Sequence, residues 1–251
     1  ALPISLMNFS QILFQNAAEA DKSCVGILGG GGKTALLHEL GNELSKSYDH
    51  VMLSSLTKAG ISSQHQVHFF PEFETEASRE ALLEINPLYI MGDQESEHKL
   101  IGLEPDQLQL VHEASDLTLF ECDGARKKPI KAHQPFDPVI PHFATHAIIV
   151  VGADAVGAKV DGKMVHRPEL FRELWDVNAN QTLDPIFITR VLTSEYGYLQ
   201  KVPKEIKLTY FVNKADAYPD QAYELAKTLS RLSHDSVYYG SIEQGNIQKV
   251  N

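Results

Sequence analysis

The sequence predicts an α/β fold, a three-layer sandwich around a mainly parallel sheet, and three observations predict it. Short apolar runs alternate with helical patterns along the chain, as repeated βαβ units require. A run of four glycines, Gly29 to Gly32, stands between one such strand and the helix that Lys33-Thr34 opens. Later strands run out into Asp123-Gly124, Gly152 and Asn213, the end of an open α/β sheet where ligands bind. At 251 residues, 1–251 reads as a single domain, with no internal repeat and no low-complexity linker.

The elements follow in order. Phe9, Ile12, Leu13 and Ala17 give Asn8 to Ala20 an amphipathic helix packed on the domain. Cys24 to Leu28 is the first strand, Lys33 to Ser47 a helix and Val51 to Ser55 the second strand. Lys58 to His68 is a loop, Glu76 to Glu84 a helix, Leu88 to Met91 a strand and Asp106 to Ala114 a helix. Strands at Leu117 to Cys122 and Ala147 to Val151 precede helices at Leu170 to Trp175 and Pro185 to Leu192. A strand at Leu208 to Val212, a helix at Gln221 to Leu232 and a strand at Val237 to Tyr239 complete the pattern. Pro129 to Pro141 is a proline-rich loop within the domain.

A net charge of -11 argues against nucleic acid or an anionic membrane as the general partner. No apolar run nears the roughly 20 residues of a membrane span, and no export signal is read. The two cysteines, Cys24 and Cys122, lie in apolar strands without a CxxC partner, as in a reducing, cytoplasmic setting. The 11 histidines are scattered; His65 and His68 share a polar loop with no third ligand in reach.

Gly29-Gly30-Gly31-Gly32-Lys33-Thr34 carries the strongest chemistry. Backbone N–H groups converge on phosphate oxygens only where side chains are absent, and the helix that follows adds its positive end. Lys33 would reach the phosphates, and the Thr34 hydroxyl would ligate Mg²⁺. The full G-x-x-x-x-G-K-[ST] spacing would put a glycine at position 27, where Ile27 stands, so the match is to the shortened G-x-G-G-K-T form. A lysine in that role is expected to be dispensable to the fold. The protein therefore reads as P-loop NTPase-like.

Glu121 and Asp123 share one side of a strand tip, because side chains alternate with period two. Asp123 is expected to join Thr34 in holding Mg²⁺, with Glu121 orienting water. The competing role for Asp123 is a turn cap before Gly124. Arg126 and Lys131 in the basic run that follows, with His166 and Arg167 before a helix, are the candidates for gripping an anionic substrate. Gly152-Ala153-Asp154 ends another strand and can line the same crevice. Asn213-Lys214-Ala215-Asp216 follows a strand and precedes a helix, the setting in which P-loop GTPases read guanine. Asp216 would accept from guanine N1–H and N2, which adenine lacks, and the Lys214 stem would cover the ring.

Four segments together resemble the YqeC family, accessory proteins of selenium-dependent molybdenum hydroxylases. They are Gly26 to Thr34, Glu121 to His133, Val151 to Gly157 with His166 to Glu169, and Asn213 to Asp216. One departure is the second strand's end, Ser54-Ser55-Leu56-Thr57-Lys58, where the family tends to carry a run of threonines. The resemblance implies a nucleotide-binding protein acting in the maturation of such a hydroxylase, with that enzyme or its cofactor-assembly proteins as partners. The expectation is GTP, favoured over ATP, with Mg²⁺ and slow hydrolysis. A small-molecule kinase and a non-catalytic, nucleotide-gated cofactor-delivery module stay open beside it.

Overall fold

The computed structural model describes residues 8–13 and 22–250. Strand β1 (Ser23–Gly29) is buried along its whole length. The glycine loop follows it and opens into α1 (Lys33–Leu44), after which comes β2 (Val51–Ser55). The next stretch holds β3 (Ala59–Gly60), β4 (Val67–Phe69), α2 (Phe70–Glu74), α3 (Glu76–Leu83) and β5 (Leu88–Met91). Then come β6 (Asp93–Ser96), β7 (Lys99–Ile101), α4 (Pro105–Glu113), β8 (Leu117–Glu121) and β9 (Ile130–Lys131). β10 (His146–Gly152), β11 (Val165–His166), α5 (Pro168–Trp175) and α6 (Pro185–Leu192) follow. Last are β12 (Lys207–Asn213), α7 (Pro219–Leu232), β13 (Ser236–Ser241) and β14 (Asn246–Lys249).

Nine strands form one sheet in the order β14-β13-β12-β10-β1-β8-β2-β5-β4, and every pairing is parallel except β13 with β14. The three-layer sandwich is there as expected. One face packs Val25, Ile27, Leu53, Leu119, Ile148 and Val150 against Leu36, Leu37 and Leu40 of α1. The other packs Leu28, Met52, Phe120, Ile149 and Val212 against α4, α6 and α7, through residues such as Leu108, Ile188 and Leu225. Covering on both faces is why the central strands read as unbroken apolar runs. Both cysteines are buried in that second core, unpaired.

The strand order positions the site. β8 and β10, successive strands of the large sheet, flank β1 on opposite sides, so the connection between them crosses over β1. The direction of winding turns at that point, which opens a crevice beyond the carboxyl ends of β1, β8 and β10. The glycine loop, Asp123 and Gly152 all stand at its edge.

Most predicted elements agree to within two residues. The expected loop Lys58 to His68 instead contains β3 and the start of β4, strands of two or three residues. Segments that short carry no readable period, and pairing with β7 and β5 decides their state. β9 and β11 escape prediction for the same reason, and they prove important below. The expected N-terminal helix is described only in part: Phe9–Ile12 forms a 3₁₀ turn with Phe9, Ile12 and Leu13 buried, and residues 14–20 lie outside the described residues. The Glu43 carboxylate fastens that turn to α1, accepting from the Phe9 and Ser10 N–H groups at 3.0 and 2.7 Å. Removing an acceptor shared by two backbone donors costs about 1–3 kcal/mol. Glu43→Ala should therefore accelerate hydrogen exchange at residues 9–13 while leaving β1 protected, as mass spectrometry would report.

Candidate functional site

The glycine loop is compressed between three other pieces of chain. Gly29, Gly31 and Gly32 have φ of 103°, 77° and 134°, a region that L side chains rarely adopt. A Cβ on Gly31 would lie 2.3 Å from the Gly152 nitrogen, and one on Gly30 would lie 2.4 Å from the Lys128 carbonyl oxygen. On Gly32 it would strike the Asn213 Nδ2 at 2.3 Å. The first half of the loop spends its donors inside the protein: Gly30 N–H bonds the Val150 carbonyl and Gly31 N–H the Lys128 carbonyl, both at 2.9 Å. The second half has a different fate. Gly32 caps α1 without a side-chain hydrogen bond, so the first-turn N–H groups beginning at Lys33 lack an intrahelical partner and carry the helix's positive end.

Asp123 is the anchor of the floor and is completely buried. Both its oxygens accept from Gly29 N–H at 3.1 Å, and Oδ2 accepts from His133 Nε2 at 2.6 Å. Lys33 Nζ lies 3.3 Å from Oδ1 and Lys131 Nζ 3.1 Å from Oδ2. Burial alone would raise the Asp123 carboxyl. The two ammonium groups and the His133 hydrogen bond outweigh it and hold the carboxyl well below the usual carboxylate range. His133 moves the other way: burial lowers its imidazole despite the Asp123 bond, so the ring is neutral and donates through Nε2.

This surrounding bears on the metal assignment drawn from sequence, which paired Asp123 with Thr34. Asp123 is already surrounded by the Gly29 N–H, Lys33, Lys131 and His133, and the carboxylate beside Thr34 is Glu121, whose Oε1 accepts from the Thr34 hydroxyl at 2.6 Å. Thr34 is exposed and Glu121 is 7% exposed, against 0% for Asp123. Thr34 and Glu121 are therefore the pair able to hold a divalent cation at the mouth of the crevice. Burial raises the Glu121 carboxyl, opposed by Lys33 and by the Thr34 hydrogen bond. Among the described residues no cluster of three or more His, Cys, Asp or Glu side chains forms a ready-made cage. A hard cation here would draw its remaining ligands from water or a bound anion.

Lys33 is buried inside the protein and carries structural contacts that its sequence reading did not include. Its ammonium donates to the Gly29 carbonyl at 2.8 Å and bridges Asp123 and Glu121. Burial would lower its pKa, but the two carboxylates raise it. Lys131, read as an anion grip, is also fully buried and lies 2.7 Å from Asp137 Oδ2. Arg167 is half-buried and reaches the same Asp137 oxygen at 2.9 Å. Arg126 is exposed and His166 half-buried.

A family comparison covers most of this machinery: residues 25–169 match the YqeC protein family. The chain belongs to the YqeC family. The matched span runs from β1 to the start of α5 and takes in the glycine loop, Glu121, Asp123, Lys131, His133 and Arg167. A protein of Escherichia coli (strain K12), Uncharacterized protein YqeC, is 23% identical over 244 residues, 96% of this chain and 95% of its own.

The Asn213 segment of this YqeC family member behaves differently from its sequence reading. Asn213 Nδ2 donates to the Gly31 carbonyl at 2.8 Å, and its Oδ1 accepts from Ile242 N–H at 3.2 Å. It is a brace between the glycine loop and the turn after β13. Lys214, at φ 72°, gives its ammonium to Asp154 Oδ2 at 2.6 Å, so its stem is drawn toward the end of β10. Asp216 is exposed, three residues past the end of β12.

Sequence reasoning missed His133, Asp137 and Tyr198. The Tyr198 hydroxyl accepts from Lys131 N–H at 3.0 Å, and its ring stands edge-on to His133, centroids 4.6 Å apart. His133 and Asp137 flank Lys131 at offsets of two and six, a local clustering that reads as signal only once β9 is known to be a strand.

Two outcomes follow. Removing one partner of a buried ion pair costs about 3–5 kcal/mol, so Lys33→Ala should lower unfolding free energy by that order in urea titrations at pH 7. For Asp123, a carboxyl depressed in the fold contributes stability above its unfolded pKa, near 3.9, and loses it as pH falls. The penalty of Asp123→Asn should thus be full at pH 7 and shrink progressively below about pH 4.

Proposed function

We propose that this protein binds a nucleoside triphosphate with Mg²⁺ and hydrolyses it slowly. One observation carries the reading. Four glycines whose backbones admit no Cβ lead straight into Lys33 and Thr34, at the start of a helix in the switch-point crevice. That combination suits a triphosphate: Lys33 shifts from its carboxylates onto β- and γ-phosphate oxygens, and the α1 N-terminus holds the charge. Thr34 and Glu121 hold Mg²⁺ between them, and the metal supplies charge neutralisation for the leaving diphosphate. His133 and Lys131 keep Asp123 in place behind the loop; neither reaches the nucleotide.

The base is guanine in this reading. Asp216 is exposed and able to accept from guanine N1–H and N2, and Asn213 rigidifies the joint between base and phosphate ends. Lys214 leaves Asp154 to lie over the ring. Slow turnover follows from the absence of any arginine hydrogen-bonded to the glycine loop among the described residues; such a group is commonly supplied by a partner. The YqeC resemblance supplies the setting, maturation of a selenium-dependent molybdenum hydroxylase in the cytoplasm, with the hydroxylase or its cofactor-assembly proteins as that partner.

Calorimetric titration of GTP, ATP and XTP, with and without Mg²⁺, tests these roles. Thr34→Ala should abolish the Mg²⁺-dependent gain in affinity, about tenfold or more, while changing metal-free binding little. Glu121→Gln should do the same. Equal loss with and without Mg²⁺ would remove the metal role. Asp216→Asn should move preference from GTP toward XTP, and an unchanged ranking would remove the guanine reading alone.

A further inference from the structure

The basic residues beside the glycine loop are held in backbone conformations that cost energy. Among the described residues six non-glycines have positive φ, and three of them are Arg126 (47°), Lys127 (61°) and Arg167 (61°). Left-handed geometry at such residues is unfavourable and persists where surrounding structure imposes it, typically at ligand sites. Here the imposing structure is visible. Lys128 N–H closes the turn on the Ala125 carbonyl at 2.9 Å, while the Lys128 carbonyl takes the Gly31 N–H. Lys128 Nζ donates to the Lys163 carbonyl at 2.9 Å. On the far side, β9 pairs with β11 in the register Lys131 to His166, and Ala132 N–H donates to the His166 carbonyl at 3.1 Å. The Ala125–Lys128 turn and the His166-Arg167 corner are thus fastened to each other and to the loop.

The charge on this patch is uncompensated at its surface. Arg126 and Lys127 are exposed, and neither pairs with a carboxylate among the described residues. Arg167 spends Nη1 on Asp137 and the Ala132 carbonyl, leaving the rest of the guanidinium edge available. Its plane is steadied over the ring of Phe136, 5.8 Å from the centroid, and that ring is itself 66% exposed. His166 stands before Arg167 in the same corner, and burial first, then Arg167, Lys131 and Arg126, push its imidazole down to about 4. In a chain of net charge -11, two exposed cations without a carboxylate, next to the partly committed Arg167, suit an anion.

We propose that the Ala125–Lys128 turn and the His166-Arg167 corner form a binding site for a second ligand, a small phosphate monoester, beside the glycine loop. Two guanidinium groups suit the fork geometry of a phosphate, and several cations match a dianion better than a single carboxylate. The neutral His166 can donate one further hydrogen bond. This site deepens the nucleotide reading by giving it a second substrate or cargo, and its binding is measured separately from that of nucleotide.

Phenylglyoxal labelling mapped by mass spectrometry, with glycerol 3-phosphate as the probe, tests the proposal on the full chain. The probe should slow modification of Arg126 and Arg167 by about fivefold or more, should leave exposed Arg231 unaffected, and should do so equally with a non-hydrolysable GTP analogue and Mg²⁺ present. No protection, or equal protection at Arg231, overturns the site. Protection lost when the analogue is added would assign the probe to the glycine loop and also overturn it. Arg126→Gly and Lys127→Gly supply a readout that a structural role would not move. Glycine relieves the left-handed strain, so the melting temperature should hold or rise while calorimetric affinity for glycerol 3-phosphate falls about tenfold. Full affinity in both variants would contradict the proposal. Probe protection without nucleotide binding would leave this site standing and the nucleotide reading fallen, and the reverse result would do the opposite.

Discussion

The position of one buried anion, the Asp123 carboxylate, governs the rest of this crevice. It sits just past the end of β8, grips Gly29 N–H with both oxygens and gathers Lys33, Lys131 and His133 around itself. An ionised carboxylate in a dry interior is tolerable only with such partners, and each partner is thereby fixed. From Asp123 a line of alternating charges runs both ways. Outward it passes through Lys131 and Asp137 to Arg167; inward it passes through Lys33 and Glu121 to the Thr34 hydroxyl. The first turn of α1 and the basic corner before α5 are connected by a continuous line of polar contacts that passes the end of β8.

That arrangement divides the labour between two carboxylates only two residues apart. Asp123 is bound into the loop through Gly29 N–H, while Glu121 accepts from the exposed Thr34 hydroxyl. The same logic separates the two halves of the glycine loop. Gly29, Gly30 and Gly31 spend their N–H groups holding the loop against the sheet, and the donors from α1's first turn are left for a ligand.

Much of this was readable from sequence, and the boundary of legibility has physical causes. Val51–Ser55, Leu88–Met91 and Pro185–Leu192 match their predicted bounds because apolar run, proline at the first helical turn and flanking polar residues agree. The glycine loop and the carboxylate strand were legible because motif and element boundary coincide. The roles of Glu121 and Asp123 were not, since period-two alternation puts both on one side but says nothing of which is buried. Lys131 looked like a surface cation within a basic run. Its pairing with β11, and the carboxylate at Asp137 waiting beneath, come from contacts remote in sequence or from strands two residues long. The YqeC resemblance identified the family, and residues 25–169 bear it out, but it could not apportion work among the residues.

The most direct measurement is amide NMR of the glycine loop and the first turn of α1 during titration with Mg²⁺ and a non-hydrolysable GTP analogue. If phosphate binds as argued, the Gly32, Lys33 and Thr34 amides should show the largest shifts, and the Gly29 amide, already bonded to Asp123, a small one. Shifts confined to other parts of the chain, or none at saturating nucleotide, would contradict the account.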